Sequence, residues 1–71
     1  MNTHDFSANR IKELREENAL TQHELSRKTG ISQANISRWE KNVIIPNVLD
    51  CWKLAEFFNV SVDYLIGRED D

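Results

Sequence analysis

Residues Thr21 to Glu40 read TQHELSRKTGISQANISRWE, and this stretch decides the fold. Thr21 followed three residues later by Glu24 has the spacing of a capping box. The threonine hydroxyl accepts from the N–H of Glu24, and the glutamate carboxylate accepts from the N–H of Thr21. A helix is expected from Gln22 to about Lys28, with Leu25 inward and Ser26 small enough for another helix to approach. Gly30 takes a left-handed conformation without steric cost, ending that helix and turning the chain. Ile31 then enters the core, and Ser32 is a good N-cap for a helix over about Gln33 to Lys41.

On this next helix, Ile36 and Trp39 mark the inward side. Gln33, Ala34, Ser37, Arg38 and Lys41 fall on the outer arc, with long hydrogen-bonding side chains interspersed among small ones. A polar back is common to surface helices, so the arc alone decides nothing. The spacing of Leu25, Ser26, Gly30, Ile31, Ile36 and Trp39 does decide. Two short helices that cross steeply must touch at a small residue, turn on a glycine and share an apolar wedge.

The same residues carry a family resemblance. The runs Leu20-Thr-Gln-x-Glu-Leu25, Thr29-Gly-Ile-Ser32 and Ile36-Ser-x-Trp-Glu40, followed later by Val60-Ser-Val-Asp-Tyr-Leu65, resemble the lambda-repressor-like (Cro/CI-type, XRE) helix-turn-helix family over most of the chain. The resemblance implies an all-α fold, a compact five-helix bundle containing a helix-turn-helix. It also implies that Gln33, Ala34, Ser37 and Arg38 contact bases of double-stranded DNA. Chemistry supports part of this independently: glutamine pairs bidentately with adenine and arginine with guanine in the major groove, whereas Ala34 offers only contact with a thymine methyl. Gln22, at a helix N-terminus with free N–H groups, suits a phosphate oxygen. The resemblance gives it that role and has it brace the first residue of the reading helix. Asn35, on the flank, Lys41 and Asn42 are further candidates for phosphate contact. Arg15 matches a basic residue that pairs with the acidic residue ending the reading helix, here Glu40, and its guanidinium could also face a phosphate. Members often dimerise on DNA through the last helix, which makes Val62 and Tyr64 candidate dimer contacts.

Seventy-one residues make one domain, small but able to close a core without staples. Hydrophobic residues at 39% and charged residues at 30%, with two glycines and one proline, argue against a disordered chain. Nothing in the sequence approaches a membrane span. The first residues, MNTHDFSANR, lack the apolar core of an export signal. One cysteine forms no internal disulfide, and a reducing cytoplasm is the expected setting. The net charge of −3 runs against nucleic-acid binding. Its distribution softens this. Between Thr21 and Asn47 four basic residues (Arg27, Lys28, Arg38, Lys41) stand against two acidic ones (Glu24, Glu40), while Glu69, Asp70 and Asp71 cluster at the end.

The expected organisation is a flexible start (1–6), a helix-turn-helix domain (7–66) and an acidic tail (67–71). His4 and Asp5 are too few ligands for a metal site, and neither a cofactor nor a small-molecule ligand is expected. The first helix should run from about Ser7 to Glu17, with Ala8, Ile11 and Leu14 inward and Arg10, Lys12, Glu13, Glu16 and Glu17 mostly facing water. Asn18 is expected to take the left-handed turn where the family often has glycine at Ala19. Asn42 should adopt positive φ after the reading helix. In the loop Val43-Ile44-Ile45-Pro46, where the family would have polar or basic residues, at least one apolar side chain is expected to fold onto the core. Asn47 caps a fourth helix to about Phe58, with Val48, Cys51, Leu54, Ala55 and Phe58 as its inner stripe. Trp52, Phe57 and Leu49 lie off that stripe, either covering the core edge or forming a self-association surface. Ser61 starts a short last helix that Gly67 ends.

These features point to a sequence-specific transcriptional regulator, expected to be a repressor, that binds a palindromic operator as a homodimer. The alternative is a protein-interaction module, such as an antitoxin or anti-repressor, using the apolar loop. Two histidines and one cysteine without triad or metal spacing argue against an enzyme.

Overall fold

The computed structural model describes residues 9–68. The expected flexible start (1–6), Ala8 as a core residue, and the acidic residues 69–71 lie outside them. Five helices follow one another: α1 (Ile11–Glu17), α2 (Gln22–Thr29), α3 (Gln33–Glu40), α4 (Val48–Phe58) and α5 (Val62–Leu65). The described residues form a compact all-helical bundle.

Each of α2 to α5 starts on the capping side chain its sequence supplies. Thr21 Oγ1 accepts from Glu24 N–H at 3.0 Å while Glu24 Oε1 accepts from Thr21 N–H at 2.8 Å, completing the capping box. Ser32, Asn47 and Ser61 accept from the N–H of Asn35, Asp50 and Tyr64. Such caps satisfy amide donors that a helix leaves without an internal partner. The core consists of Ile11, Leu14, Leu25, Ile31, Ile36, Trp39, Cys51, Leu54, Ala55 and Leu65, with Leu20, Phe58, Val60, Val62, Tyr64 and Ile66 packed against it.

Four expectations are corrected. Helix α1 begins at Ile11, since Asn9 and Arg10 are not helical. Their polar groups are used differently: Asn9 Oδ1 accepts from Ile11 N–H, and Arg10 N–H donates to the Leu65 carbonyl at 2.7 Å. The left-handed residue after α1 is Ala19 (φ 56°), not Asn18 (φ −94°). Asn18 caps instead, its Nδ2 donating to the Leu14 carbonyl at 2.7 Å. Val43, Ile44 and Ile45 are all exposed, and Pro46 alone of that loop is buried. Val48 leaves the inner stripe of α4 and is exposed, because the helix is only beginning there and none of the described elements covers that position.

Candidate nucleic-acid interface

The turn between α2 and α3 is locked by short side chains. Gly30 sits at φ 77° and closes α2 through its N–H on the Ser26 carbonyl. Ser26 Oγ donates to the Ile31 carbonyl, and Thr29 Oγ1 donates to the Leu25 carbonyl at 2.8 Å while accepting from Ile31 N–H. Ser26 therefore does more than leave room for a neighbour. It ties the end of α2 to the residue that anchors the turn.

Helix α3 buries Ile36 and Trp39 and turns Gln33, Ala34 and Arg38 to solvent, with Ser37 half-buried between them. Lys41 and Asn42, just past its end, are exposed as well. The outer arc read from the sequence is an open surface in the structure. Asn35 is half-buried on the flank, and its Oδ1 accepts from Arg38 Nη1 at 3.3 Å. That contact rests the guanidinium along the helix.

The C-terminal end of α3 is fastened from three directions. Arg15 meets Glu40 in a two-pronged pair, Nε to Oε2 at 2.7 Å and Nη2 to Oε1 at 3.0 Å, with side chains only 12% and 4% exposed. Arg15 Nη1 also donates to the Leu20 carbonyl at 2.8 Å. The hydrogen-bonded carboxylate raises the guanidinium pKa further, so Arg15 is charged at any working pH. Its donors are directed inward, onto Glu40 and Leu20, rather than to a phosphate. Gln22 comes second, and here the expected brace is corrected. Its Nε2 donates to Glu40 Oε1 at 3.0 Å, so it holds the last residue of α3. A glutamine at the start of α2 reaches Glu40 because the short turn lays the two helices across each other.

The third fastening was not legible in the sequence. Asn9 Nδ2 donates to Asn42 Oδ1 at 3.1 Å and lies 3.5 Å from the Trp39 carbonyl. This steadies Asn42, which has the left-handed φ of 62° expected of it. Arg10, expected in water, is half-buried. Its Nη1 donates to the Tyr64 carbonyl and its guanidinium lies 4.0 Å above the Tyr64 ring, a cation–π stack. No local pattern announces contacts between residues thirty or more positions apart. Val62 and Tyr64, the candidate dimer residues, are both half-buried and packed on the core.

The described residues hold no cluster of His, Cys, Asp and Glu suited to a metal ion, and no helix long and apolar enough to cross a membrane. Burial raises the Cys51 thiol pKa, which leaves it a poor nucleophile at neutral pH.

A helix-turn-helix family model matches residues 11–65. Curated relatives include the HTH-type transcriptional regulator ImmR of Bacillus subtilis, 36% identical over 61 residues, which are 86% of this chain and 48% of that protein. An uncharacterized HTH-type transcriptional regulator of Methanocaldococcus jannaschii is 35% identical over 63 residues, covering 89% of this chain and 96% of the relative. The HTH-type transcriptional activator BcrR of Enterococcus faecalis is 31% identical over 61 residues, 86% of this chain and 30% of BcrR. The chain thus spans about half the length of ImmR, less of BcrR and nearly all of the archaeal relative. No solved structure gives a significant match. With five helices, a glycine turn between α2 and α3, and an open polar arc on α3, this chain belongs to the Cro/CI-type (XRE) helix-turn-helix family of DNA-binding transcription regulators.

Proposed function

We propose that the protein reads a specific double-stranded DNA operator as a homodimer, one α3 per half-site, and acts as a repressor. The observation that carries this is the outer face of α3, open and polar, on a helix whose far end is fixed by Arg15, Gln22 and Asn9. A helix held this firmly loses little freedom when it enters the major groove, so its contacts convert efficiently into affinity.

Within this reading, Gln33 and Arg38 supply hydrogen bonds to base edges, Ser37 a shorter one, and Ala34 apolar contact. Arg38 leaves Asn35 to do so, and Asn35 then faces the backbone. Lys41, Asn42 and the N-terminus of α2 at Gln22 position the domain on phosphates. Arg15 acts through Glu40 as a brace. Because the chain is acidic overall, long-range attraction to DNA is weak and binding depends strongly on salt. The proposed setting is the cytoplasm, where the free, buried Cys51 stays reduced. Repression would follow from occupying the operator. Since one relative is named an activator, the direction of regulation depends on where the operator lies as much as on the domain.

A second reading has one observation behind it. The exposed apolar loop Val43–Ile45 suits a protein-interaction module such as an antitoxin or anti-repressor. Selection from a pool of random duplexes at two salt concentrations decides between them. Enrichment of a palindrome whose half-sites lie about one helical turn apart supports operator reading. Absence of retention even at low salt supports the interaction module.

A further inference from the structure

The largest anomaly on the surface lies next to the reading face. Residues 43–49, VIIPNVL, contain no charge. Val43 is 65% exposed, Ile44 42%, Ile45 65%, Val48 85% and Leu49 57%, and Trp52, one turn further along α4, is 54% exposed. On a helix, positions 48, 49 and 52 share one arc of about 100°, and the buried residues Cys51, Leu54 and Ala55 occupy the adjoining arc of α4, with Val48 at the boundary between the two. The loop leads straight into the first turn of α4, so its exposed apolar side chains and those of this arc adjoin along the chain. Together the six side chains leave on the order of 600 Å² uncovered, at or above the largest apolar patch of an ordinary monomer.

We infer that this surface, the α3–α4 loop with the first turns of α4, pairs with the same surface of a second copy of the chain. Three observations select that occupant. The area approaches the roughly 800 Å² per partner of a standard interface. In a two-fold interface, residues near the axis meet their own copies, which is unfavourable for like charges and harmless for valine, isoleucine and leucine. The patch also begins three residues after α3 ends, so pairing through it brings two reading helices together at their C-terminal ends, as one operator would require. The alternative surface on α5 offers less. Val62 and Tyr64 are already half-buried against their own core, and Tyr64 is stacked under Arg10.

The inference rests on the dimeric reading above only for the placement of the two reading helices; self-association itself is measured without DNA. The experiment is sedimentation equilibrium of the free protein at about 0.1 M and 1 M salt, for wild type, Val48→Asp and Tyr64→Phe. Aspartate is favoured in a first helical turn, and Val48 is exposed, so V48D should fold normally. Circular dichroism checks this. The expected result is a wild-type mass rising towards two chains with concentration and undiminished at high salt. V48D should associate at least about tenfold more weakly, since the charge is buried twice in a symmetric interface, and Y64F should match wild type. A wild type that stays monomeric, a V48D that pairs equally well, or a dimer dissolved by salt would overturn the inference. Trp52 gives an independent readout, because its emission should shift to the blue on association while the buried Trp39 stays constant. If the dimer forms as described yet no duplex is selected, operator reading fails and this interface stands.

Discussion

Residues 33–42 and 43–49 are adjacent in the chain, and both leave side chains in solvent, yet their surfaces are opposites. The first is polar and braced: its exposed arc stands on Ile36 and Trp39, and its end is tied by Arg15, Gln22 and Asn9. The second is apolar, and none of the described helices covers it. A polar face in water is at rest, so evolution can fix it rigidly and use it for recognition. An apolar face in water is a standing free-energy cost that contact with another molecule can offset. The two neighbours therefore differ in kind: the polar face is stable in water as it stands, and the apolar face is not.

The contrast can be broken most forcefully at Arg15. Arg15→Ala leaves Glu40 nearly buried beside Gln22 alone, and removing one partner of such a pair costs about 3–5 kcal/mol. Chemical denaturation should show this, and replacing both residues by methionine should recover most of it. If R15A is barely destabilised, the α3 end is not held as described. Arg38→Ala should next leave stability unchanged but cost roughly 1–3 kcal/mol of binding at one base position, relaxing specificity there. Lys41→Ala should instead weaken binding to every sequence and lower the salt slope by about one. Identical, sequence-blind losses from the two would merge the reading and positioning roles.

Smaller effects sharpen the same comparison by testing the support behind the reading face. Removing the capping hydroxyl in Thr21→Ala should cost about 1 kcal/mol in thermal unfolding. The pH dependence should change with it. Hydrogen bonds from Thr21 hold the Glu24 carboxyl below its usual pKa, so its contribution is fully present above the unfolded-state value. It is lost as pH falls through the folded one. T21A keeps the Thr21 backbone N–H, the larger cause, and removes only the hydroxyl, so it should flatten the acid limb of the stability profile only in part. Exchanging residues at the left-handed positions comes last. Ala19→Gly should stabilise and Gly30→Ala destabilise by about 1 kcal/mol each, because a β-carbon is disfavoured at φ 56° or 77°. At Gly30 no atom lies within 4 Å of the added carbon, so the loss there is conformational and not a clash.

Much of this was legible beforehand wherever one local rule acted alone. The caps at Thr21, Ser32, Asn47 and Ser61, the turn at Gly30, the left-handed Asn42 and the inward Leu25, Ile36 and Trp39 each follow from spacing and residue chemistry within a few positions. Reading failed where two rules competed. Asparagine is the better left-handed residue, yet Ala19 takes that conformation while the Asn18 amide caps α1. Periodicity put Val48 on the inner stripe, and hydrophobicity put one of Val43 to Ile45 in the core. Neither rule contains the information that no neighbour stands at that place.

The sequence by itself determined five helices, the glycine turn between the second and third, and which residues of α3 face away from the core. Capping, φ preference and helical period act over three or four residues and need no knowledge of the rest of the chain. Only the tertiary structure decided that Gln22 holds Glu40, that Asn9 and Arg10 join the start of α1 to α3 and α5, and that residues 43–49 stay uncovered. Those outcomes depend on which surfaces the packed helices bring within a few ångströms. Sequence separation carries no trace of that distance.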